Sequence, residues 1–158
     1  MENDFMEIER KYVIAKEEIP FNPEHYPCRH IEQGYLCTEP VVRIRRDNEE
    51  YILTYKSKGL MVREEYNLPL TQEAYEHLKE KADGRLIIKD RYVIPLENEL
   101  GLDLHIELDF FAEDLSGLIL AEVEFPDEAS ANAFRPPVWF GKDVTYSSEY
   151  HNSTLSLK

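Results

Sequence analysis

The feature that most constrains this chain is a charge pattern with a period of two. Glu7, Glu9 and Lys11 alternate with Ile8, Arg10 and Tyr12, and Arg43 and Arg45 alternate with Val42 and Ile44. The same spacing returns at Arg63/Glu65, Lys89/Arg91, Glu107/Asp109 and Glu122/Glu124. Successive side chains on a strand point to opposite faces, so each i, i+2 pair shares one face. The residues between and around them are often apolar, among them Ile8, Ile44, Ile88, Ile106, Leu108, Val123 and Phe125. For any single strand this describes an ordinary half-buried antiparallel sheet with a solvated outer face. Six strands that repeat it, with basic pairs and acidic pairs mostly segregated by strand, describe one continuous charged face.

Alternation places eight strands at about Met6–Ile14, Gln33–Thr38, Val41–Arg46, Tyr51–Lys56, Val62–Leu68, Leu86–Ile94, Leu104–Phe111 and Leu118–Phe125. Turn signals at Glu39-Pro40, Asp47-Asn48 and Lys58-Gly59 suit antiparallel hairpins. Helices are fewer. Thr71 caps one running to about Ala82, Asp127 caps a shorter one ending near Phe134, and a third is expected from about Ser147 to Leu157. The segment Pro20–His30, with its three prolines, reads as loop or a short turn of helix. The expected class is α+β: a closed eight-stranded antiparallel β-barrel with a few helices packed outside. Strands of about seven residues at ~3.3 Å each give a bore on the order of 20–25 Å long. The 158 residues are expected to form one domain.

With the charged face turned inward, seven cations (Lys11, Arg43, Arg45, Lys56, Arg63, Lys89 and Arg91) meet seven anions (Glu7, Glu9, Glu65, Glu107, Asp109, Glu122 and Glu124). The chain as a whole carries 32 acidic and 18 basic residues, a formal charge of −14, so the acid excess lies off this face. Charges crowded into a bore cannot all be solvated, and they require partners or a highly charged ligand. Arginine forks suit a chain of phosphates. Carboxylates at i, i+2 suit a hard divalent cation, Mg²⁺ or Mn²⁺. A lining of both kinds is what metal-assisted phosphoryl transfer requires. A non-catalytic polyphosphate- or nucleotide-binding module would keep the basic lining without needing Asp109, Glu122 and Glu124 placed for metal.

Several classes are excluded. The acid balance opposes binding to nucleic acid or to an anionic membrane. No Walker A or G-x-G-x-x-G cradle is present among six glycines. The longest apolar run, Leu118–Ala121, is far too short to cross a bilayer, and Met1–Lys11 has no apolar leader, so a cytoplasmic protein is expected. Cys28 and Cys37, nine apart without a C-x-x-C, read as two reduced thiols and not as a zinc pair. The five histidines are scattered and read as surface or rim residues, although His105 shares the parity of Glu107 and could reach a mouth. Tyr35, Tyr146, Tyr150 and Trp139 are expected to pack helices against the barrel.

Glu7-Ile8-Glu9-Arg10-Lys11 matches the E-x-E-x-K signature of the CYTH proteins, also called triphosphate tunnel metalloenzymes. The resemblance runs over nearly the whole chain in family order. It continues through Gln33-Gly34-Tyr35-Leu36, Arg43-x-Arg45, Lys56, Arg63-x-Glu65, Lys89-x-Arg91-Tyr92, Glu107-Leu108-Asp109, Glu122-Val123-Glu124-Phe125 and the stretch from Pro136 to Gly141. It implies a single CYTH domain over residues 1–158 that binds triphosphates with Mg²⁺ or Mn²⁺. By the same resemblance, Glu7, Glu9, Glu122 and Glu124 hold the metal, and Asp109 serves a second metal or the attacking water. Lys11, Arg43, Arg45, Lys56, Lys89 and Arg91 bind phosphate, with Arg63 a further candidate beside Glu65; Lys11, Asp109 and Arg91 form the catalytic set. Asn67 stands where many relatives carry a further Glu. The implied activity is hydrolysis of a terminal phosphoanhydride, with inorganic tripolyphosphate the leading substrate because no residue in the set recognises a base or a thiazole. Adenylate cyclase and thiamine triphosphatase are the alternatives within the family, and the protein is expected to act as a monomer or homodimer.

Overall fold

Period-two alternation becomes eight strands whose ladders run right round into a ring. A computed structural model describes residues 5–157. The strands are β1 (Met6–Val13), β2 (Cys28–Thr38), β3 (Val41–Asp47), β4 (Glu50–Lys56), β5 (Val62–Pro69), β6 (Asp83–Leu96), β7 (Leu104–Phe111) and β8 (Ile119–Glu124). Three helices accompany them: α1 (Gln72–Lys79), α2 (Glu128–Ala133) and α3 (Asn152–Leu155). Round the barrel the order is β1-β5-β4-β3-β2-β6-β7-β8, with β8 closing on β1. Every pairing is antiparallel. The closed eight-stranded barrel expected from the alternation is the observed fold.

Register decides which face each side chain occupies. Lys11 lies opposite Glu122, Glu122 opposite Glu107, Arg91 opposite Asp109, Arg43 opposite Thr54 and Lys56 opposite Glu65. The charged residues thus share one parity round the ring and face inward. The other parity is apolar over β1, β6, β7 and β8, where Tyr12, Ile94, Ile106, Leu108, Ala121 and Val123 form an outer core. Ala131 of α2 with Phe134 and Phe140 covers it. α1 covers β3 and β4 elsewhere, burying Tyr75 fully against Tyr51 at 5.2 Å between ring centroids. Thr71 caps α1 as expected, its Oγ1 accepting from the Ala74 N–H at 3.1 Å. Among the described residues no helix is long and apolar enough to cross a membrane.

Three boundaries differ from expectation. β2 begins at Cys28, inside the segment read as loop; the 3-10 turn of that segment is confined to Pro23–His25. Prolines 20, 23 and 27 hide the change, because pairing with β6 resumes immediately after the last of them. α1 ends at Lys79 and not near Ala82, because β6 starts at Asp83 and takes fourteen residues. The expected helix over Ser147–Leu157 is instead a 3-10 turn at Ser148–Tyr150 followed by the single-turn α3.

That short C-terminal unit closes one end of the bore. Leu155 sits among Tyr35, Val41, Ile87, Phe111 and Leu120, the apolar inward-facing residues at that end. The Arg85 N–H donates to the Ser156 carbonyl at 2.7 Å, fastening the segment to β6. Gly84 makes this approach possible. Its φ is +66°, and a Cβ there would lie 2.2 Å from the Ser156 oxygen.

Candidate active site

Seven strands send charged side chains of the expected set into one cavity of about 570 Å³. Glu7, Glu9, Lys11, Arg43, Arg45, Lys56, Arg63, Lys89, Arg91, Glu122 and Glu124 all line it. The floor is α3, which contributes Asn152 and Ser153. Lys11 Nζ donates to the Tyr150 carbonyl at 3.2 Å, and Lys89 Nζ donates to Asn152 Oδ1 at 3.1 Å.

The charges fall into two groups, paired and unpaired. Lys56 Nζ lies 2.9 Å from Glu7 Oε1 and 3.3 Å from Glu65 Oε2. Burial opposes the charge on Lys56, but Glu7 outweighs it and the ammonium is held above its ordinary range. Burial likewise opposes ionisation of Glu7, yet Lys56 draws its carboxyl down to about 2. Lys11 Nζ stands 3.4 Å from Glu122 Oε1, and Arg91 stands 3.6 Å from Glu122 Oε2. Against burial, Lys11, Arg91 and Lys89 hold the Glu122 carboxyl well below the usual range.

Asp109 is the most fully paired residue. It is 0% exposed, takes Arg91 through both oxygens at 2.7 and 2.8 Å, and accepts from Lys89 Nζ at 2.8 Å. Arg91 also donates to Glu107 at 2.9 Å. Burial drives the Lys89 ammonium down to about 7 in spite of Asp109. Asp109 does not line the cavity. Its carboxylate is fully buried against Arg91 and Lys89 and away from the cavity lining, a placement that suits holding those two cations more than the expected role as metal ligand or water activator. The i, i+2 parity put Asp109 inside correctly; the register, which sets Asp109 directly opposite Arg91, decided its partner.

The unpaired groups are the informative ones. Among the described residues no carboxylate lies within ion-pair distance of Arg43, Arg45 or Arg63. Arg43 and Arg63 are buried, and the buried Arg43 Nε has no hydrogen-bond partner. Arg43 donates to Thr54 Oγ1 at 3.3 Å and Arg45 to Gln33 Oε1 at 2.9 Å, so neutral oxygens hold both. Burial, then Arg43 and Arg91, push the Arg45 guanidinium down to about 9. On the neighbouring strands β1 and β8, Glu9 and Glu124 lie side by side in register without a cation partner among the described residues. Burial, then Glu122 and Glu7, raise the Glu9 carboxyl well above its usual range. Glu124, at the open mouth, is pushed up to about 7 by burial and by Glu7, Glu107 and Glu65. A cluster of hard oxygen donors that repel one another to this degree fits a hard divalent cation.

Other expectations resolve individually. Glu65 pairs with Lys56 and not with Arg63, and Asn67 donates to Glu65 Oε1 at 3.0 Å while accepting from Thr54 at 2.6 Å. Asn67 therefore ties the wall of β4 to β5. Lys58 is exposed and pairs with Glu39, away from the cavity. His105 does not line the cavity. Trp139 packs outside the barrel against Phe21 and Phe140, whereas Tyr146, expected to pack there, is largely exposed and its hydroxyl donates to Met61 Sδ at 3.3 Å. Tyr35 instead faces inward and accepts from Gln33 Nε2 at 3.1 Å. Residues that periodicity missed are Arg29, paired at 2.8 Å with Asp47 at the mouth, and Asn152 and Ser153 of the floor. Arg29 was concealed by the misread start of β2. Nothing in the local sequence around Asn152 announces a floor.

The CYTH domain model matches residues 6–131, the span that supplies every charged wall residue named above. The chain belongs to the CYTH domain family. It is 38% identical over 154 residues to the inorganic triphosphatase of Nitrosomonas europaea, which covers 96% of this chain and 97% of that protein. It is 33% identical over 154 residues to the inorganic triphosphatase of Acetivibrio thermocellus, covering 94% and 92%. Among solved structures, the inorganic triphosphatase NE1496 superposes with a TM-score of 0.69 at 37% identity, over 96% of this chain and 95% of that one. The CYTH barrel and its matching relatives agree with the resemblance carried by the E-x-E-x-K strand.

Proposed function

We propose that this CYTH protein is a metal-dependent triphosphatase that hydrolyses inorganic tripolyphosphate in the barrel cavity, with residues 1–158 acting as one unit. One observation carries the reading: three arginines without carboxylate partners among the described residues share a cavity with two carboxylates without cation partners among them. Such a cavity is complementary to a polyanion and a hard cation together. The relatives named as inorganic triphosphatases support the same substrate class.

In this reading Arg43, Arg45 and Arg63 grip the phosphate chain, and Lys11, Lys56, Lys89 and Arg91 extend the basic surface. Arg43 and Arg45 lie on the same face of one strand, so they hold successive phosphates at fixed separation. Glu7, Glu9, Glu122 and Glu124 would hold Mg²⁺ or Mn²⁺. When bound, the cation neutralises charge on the terminal phosphoryl group and acidifies the attacking water. The water oxygen bonds to the terminal phosphorus as the bridging P–O bond breaks, and diphosphate leaves with its charge met by Lys11 and Arg91. Asp109 acts as a positioning residue, fixing Arg91 and Lys89 and not touching substrate.

The test is a panel of tripolyphosphate, ATP, thiamine triphosphate and pyrophosphate, each with Mg²⁺ and with Mn²⁺, scoring phosphate and cyclic AMP separately. Phosphate release fastest from tripolyphosphate, dependent on added divalent cation, is expected. Cyclic AMP as the main product from ATP would overturn the hydrolase reading. Undiminished turnover in chelator would overturn the metal.

A further inference from the structure

The outer wall of the barrel carries a second cluster of ligating groups. Cys28 and His30, two apart on β2, both project outward, while Arg29 between them points to the cavity mouth. His30 lies directly across from Asp90 of β6, and Cys28 directly across from Tyr92. One ligand atom from each of Cys28, His30 and Asp90 falls within 4.8 Å of the others. His30 Nδ1 is already 2.5 Å from Asp90 Oδ1. The backbone beneath is clamped twice. Asn48, held at a φ of 53°, accepts the His30 N–H on Oδ1 at 2.8 Å and donates its own N–H to the His30 carbonyl at 2.9 Å.

We propose that Cys28, His30 and Asp90 form a surface site for a borderline divalent cation of the zinc type, separate from the hard-cation site in the cavity. A thiolate, an imidazole and a carboxylate make a mixed donor set that zinc accepts and that Mg²⁺ and Mn²⁺ do not favour. Three protein ligands with an open solvent side match the arrangement of zinc sites that keep one position free. Cys28 is partly buried and His30 is exposed, so the cation would sit against the wall with solvent on its far side. Its binding releases the thiol proton to water, and His30 presents a lone pair by carrying its ring proton on the other nitrogen. Because the thiol must lose its proton to bind, affinity rises with pH. Neither the spacing of Cys28 and Cys37 nor the scatter of histidines reveals this group. Only the register of β2 on β6 assembles it.

The test uses the full chain carrying Cys37→Ser, titrated with Co²⁺ as the spectroscopic probe. The cavity carboxylates also take Co²⁺, but they contribute no sulfur-to-metal absorption, so a thiolate-to-cobalt charge-transfer band reports this site alone. One equivalent of band is expected, displaced by Zn²⁺ and unaffected by excess Mg²⁺. Cys28→Ser should abolish it, and His30→Ala or Asp90→Asn should weaken cobalt binding at least ~10-fold. Glu9→Gln should leave the band unchanged, which keeps this site distinct from the proposed active site. Circular dichroism and melting confirm that the surface variants remain folded. No band in the folded Cys37→Ser protein, or a band indifferent to both His30→Ala and Asp90→Asn, would overturn the proposal.

Discussion

Asp109→Asn separates a positioning role from a chemical one. The wild-type carboxylate holds Arg91 at 2.7 and 2.8 Å and Lys89 at 2.8 Å, with Asp109 and the Lys89 side chain wholly inaccessible to solvent. Asparagine keeps the shape and one acceptor, but turns an amide NH₂ toward cations that need acceptors. Removing one partner of a buried ion pair costs about 3–5 kcal/mol. Two features favour the lower end of that range. Lys89, already at about 7, can shed its proton and become neutral, while Arg91, which cannot, keeps Glu107 at 2.9 Å. For a chain of this length, ~3 kcal/mol lowers the melting temperature by roughly 6–12 °C. The deficit should shrink above about pH 7, where neutral Lys89 costs nothing to strand. Thermal melting from about pH 6 to 9 measures this, and initial rates at a temperature where the variant is fully folded measure the chemistry. A loss of activity of at most ~10-fold, mainly in KM, is expected of a positioning residue. An unchanged melting curve together with a kcat loss of ~10²-fold or more would refute the reasoning and make Asp109 part of the chemistry.

The remaining predictions concern the unpaired groups and the floor. Glu9→Gln removes a charge that Glu122 and Glu7 already repel, so the protein should melt at or above the wild-type temperature while kcat falls at least ~10²-fold; a variant destabilised by several kcal/mol with near-normal rate would show Glu9 to be a wall partner. Tripolyphosphate at about 100 times its Kd should stabilise the protein by ~2.7 kcal/mol, or roughly 5–11 °C in melting, and an unmoved curve with and without Mg²⁺ would reject the cavity as its site. Burial and then Arg63, Lys11 and Lys56 push the His151 imidazole down to about 4 from its ordinary 6.5. Its folded-state value is below its unfolded one, so its contribution is full above about pH 6.5 and is lost as pH falls toward 4. After screening at this partly exposed site, His151→Gln should remove about 1 kcal/mol of the acid-side loss; parallel wild-type and variant stability curves over that window would contradict it.

What could be read from the chain, and what could not, follows the range of the interactions involved. Parity is local: Arg43 and Arg45 must share a face whatever strand lies beside them, so the walls and their sign were legible in two-residue spacings. Pairing is not local. That Asp109 spends both oxygens on Arg91 and Lys89, and that Glu65 takes Lys56 in preference to Arg63, depend on register, which no single strand encodes. The start of β2 was obscured because Pro27 signals a break and the strand begins on the next residue. The floor was the least legible part. α3 is one turn long, and its placement depends on Leu155 meeting five apolar side chains drawn from β2, β3, β6, β7 and β8. A four-residue segment carries no periodicity from which such a position can be inferred.

Barrel topology also explains why opposite charges in one small cavity have not simply annihilated each other. In the ring order β1-β5-β4-β3-β2-β6-β7-β8, β3 lies directly across from β8, and β1 across from β2. Arg43 and Arg45 on β3 therefore stand on the wall facing Glu124 on β8, with Glu9 on neighbouring β1. Where acid and base fall on adjacent strands they can close into pairs, as Asp109 of β7 does with Lys89 and Arg91 of β6. Where they fall on opposite walls, a side chain cannot span the bore, and each must remain uncompensated or meet a ligand. Uncompensated buried charge is destabilising, and replacing it by well-packed apolar residues is often neutral or favourable. A chain that carries Arg43 and Arg45 on one side of a cavity and Glu9 and Glu124 on the other thus accepts a stability cost that a ligand can offset. In the proposed reading the same separation would order that ligand's charges, with anionic groups against β3, a cation against β1 and β8, and the bond to be cleaved between them.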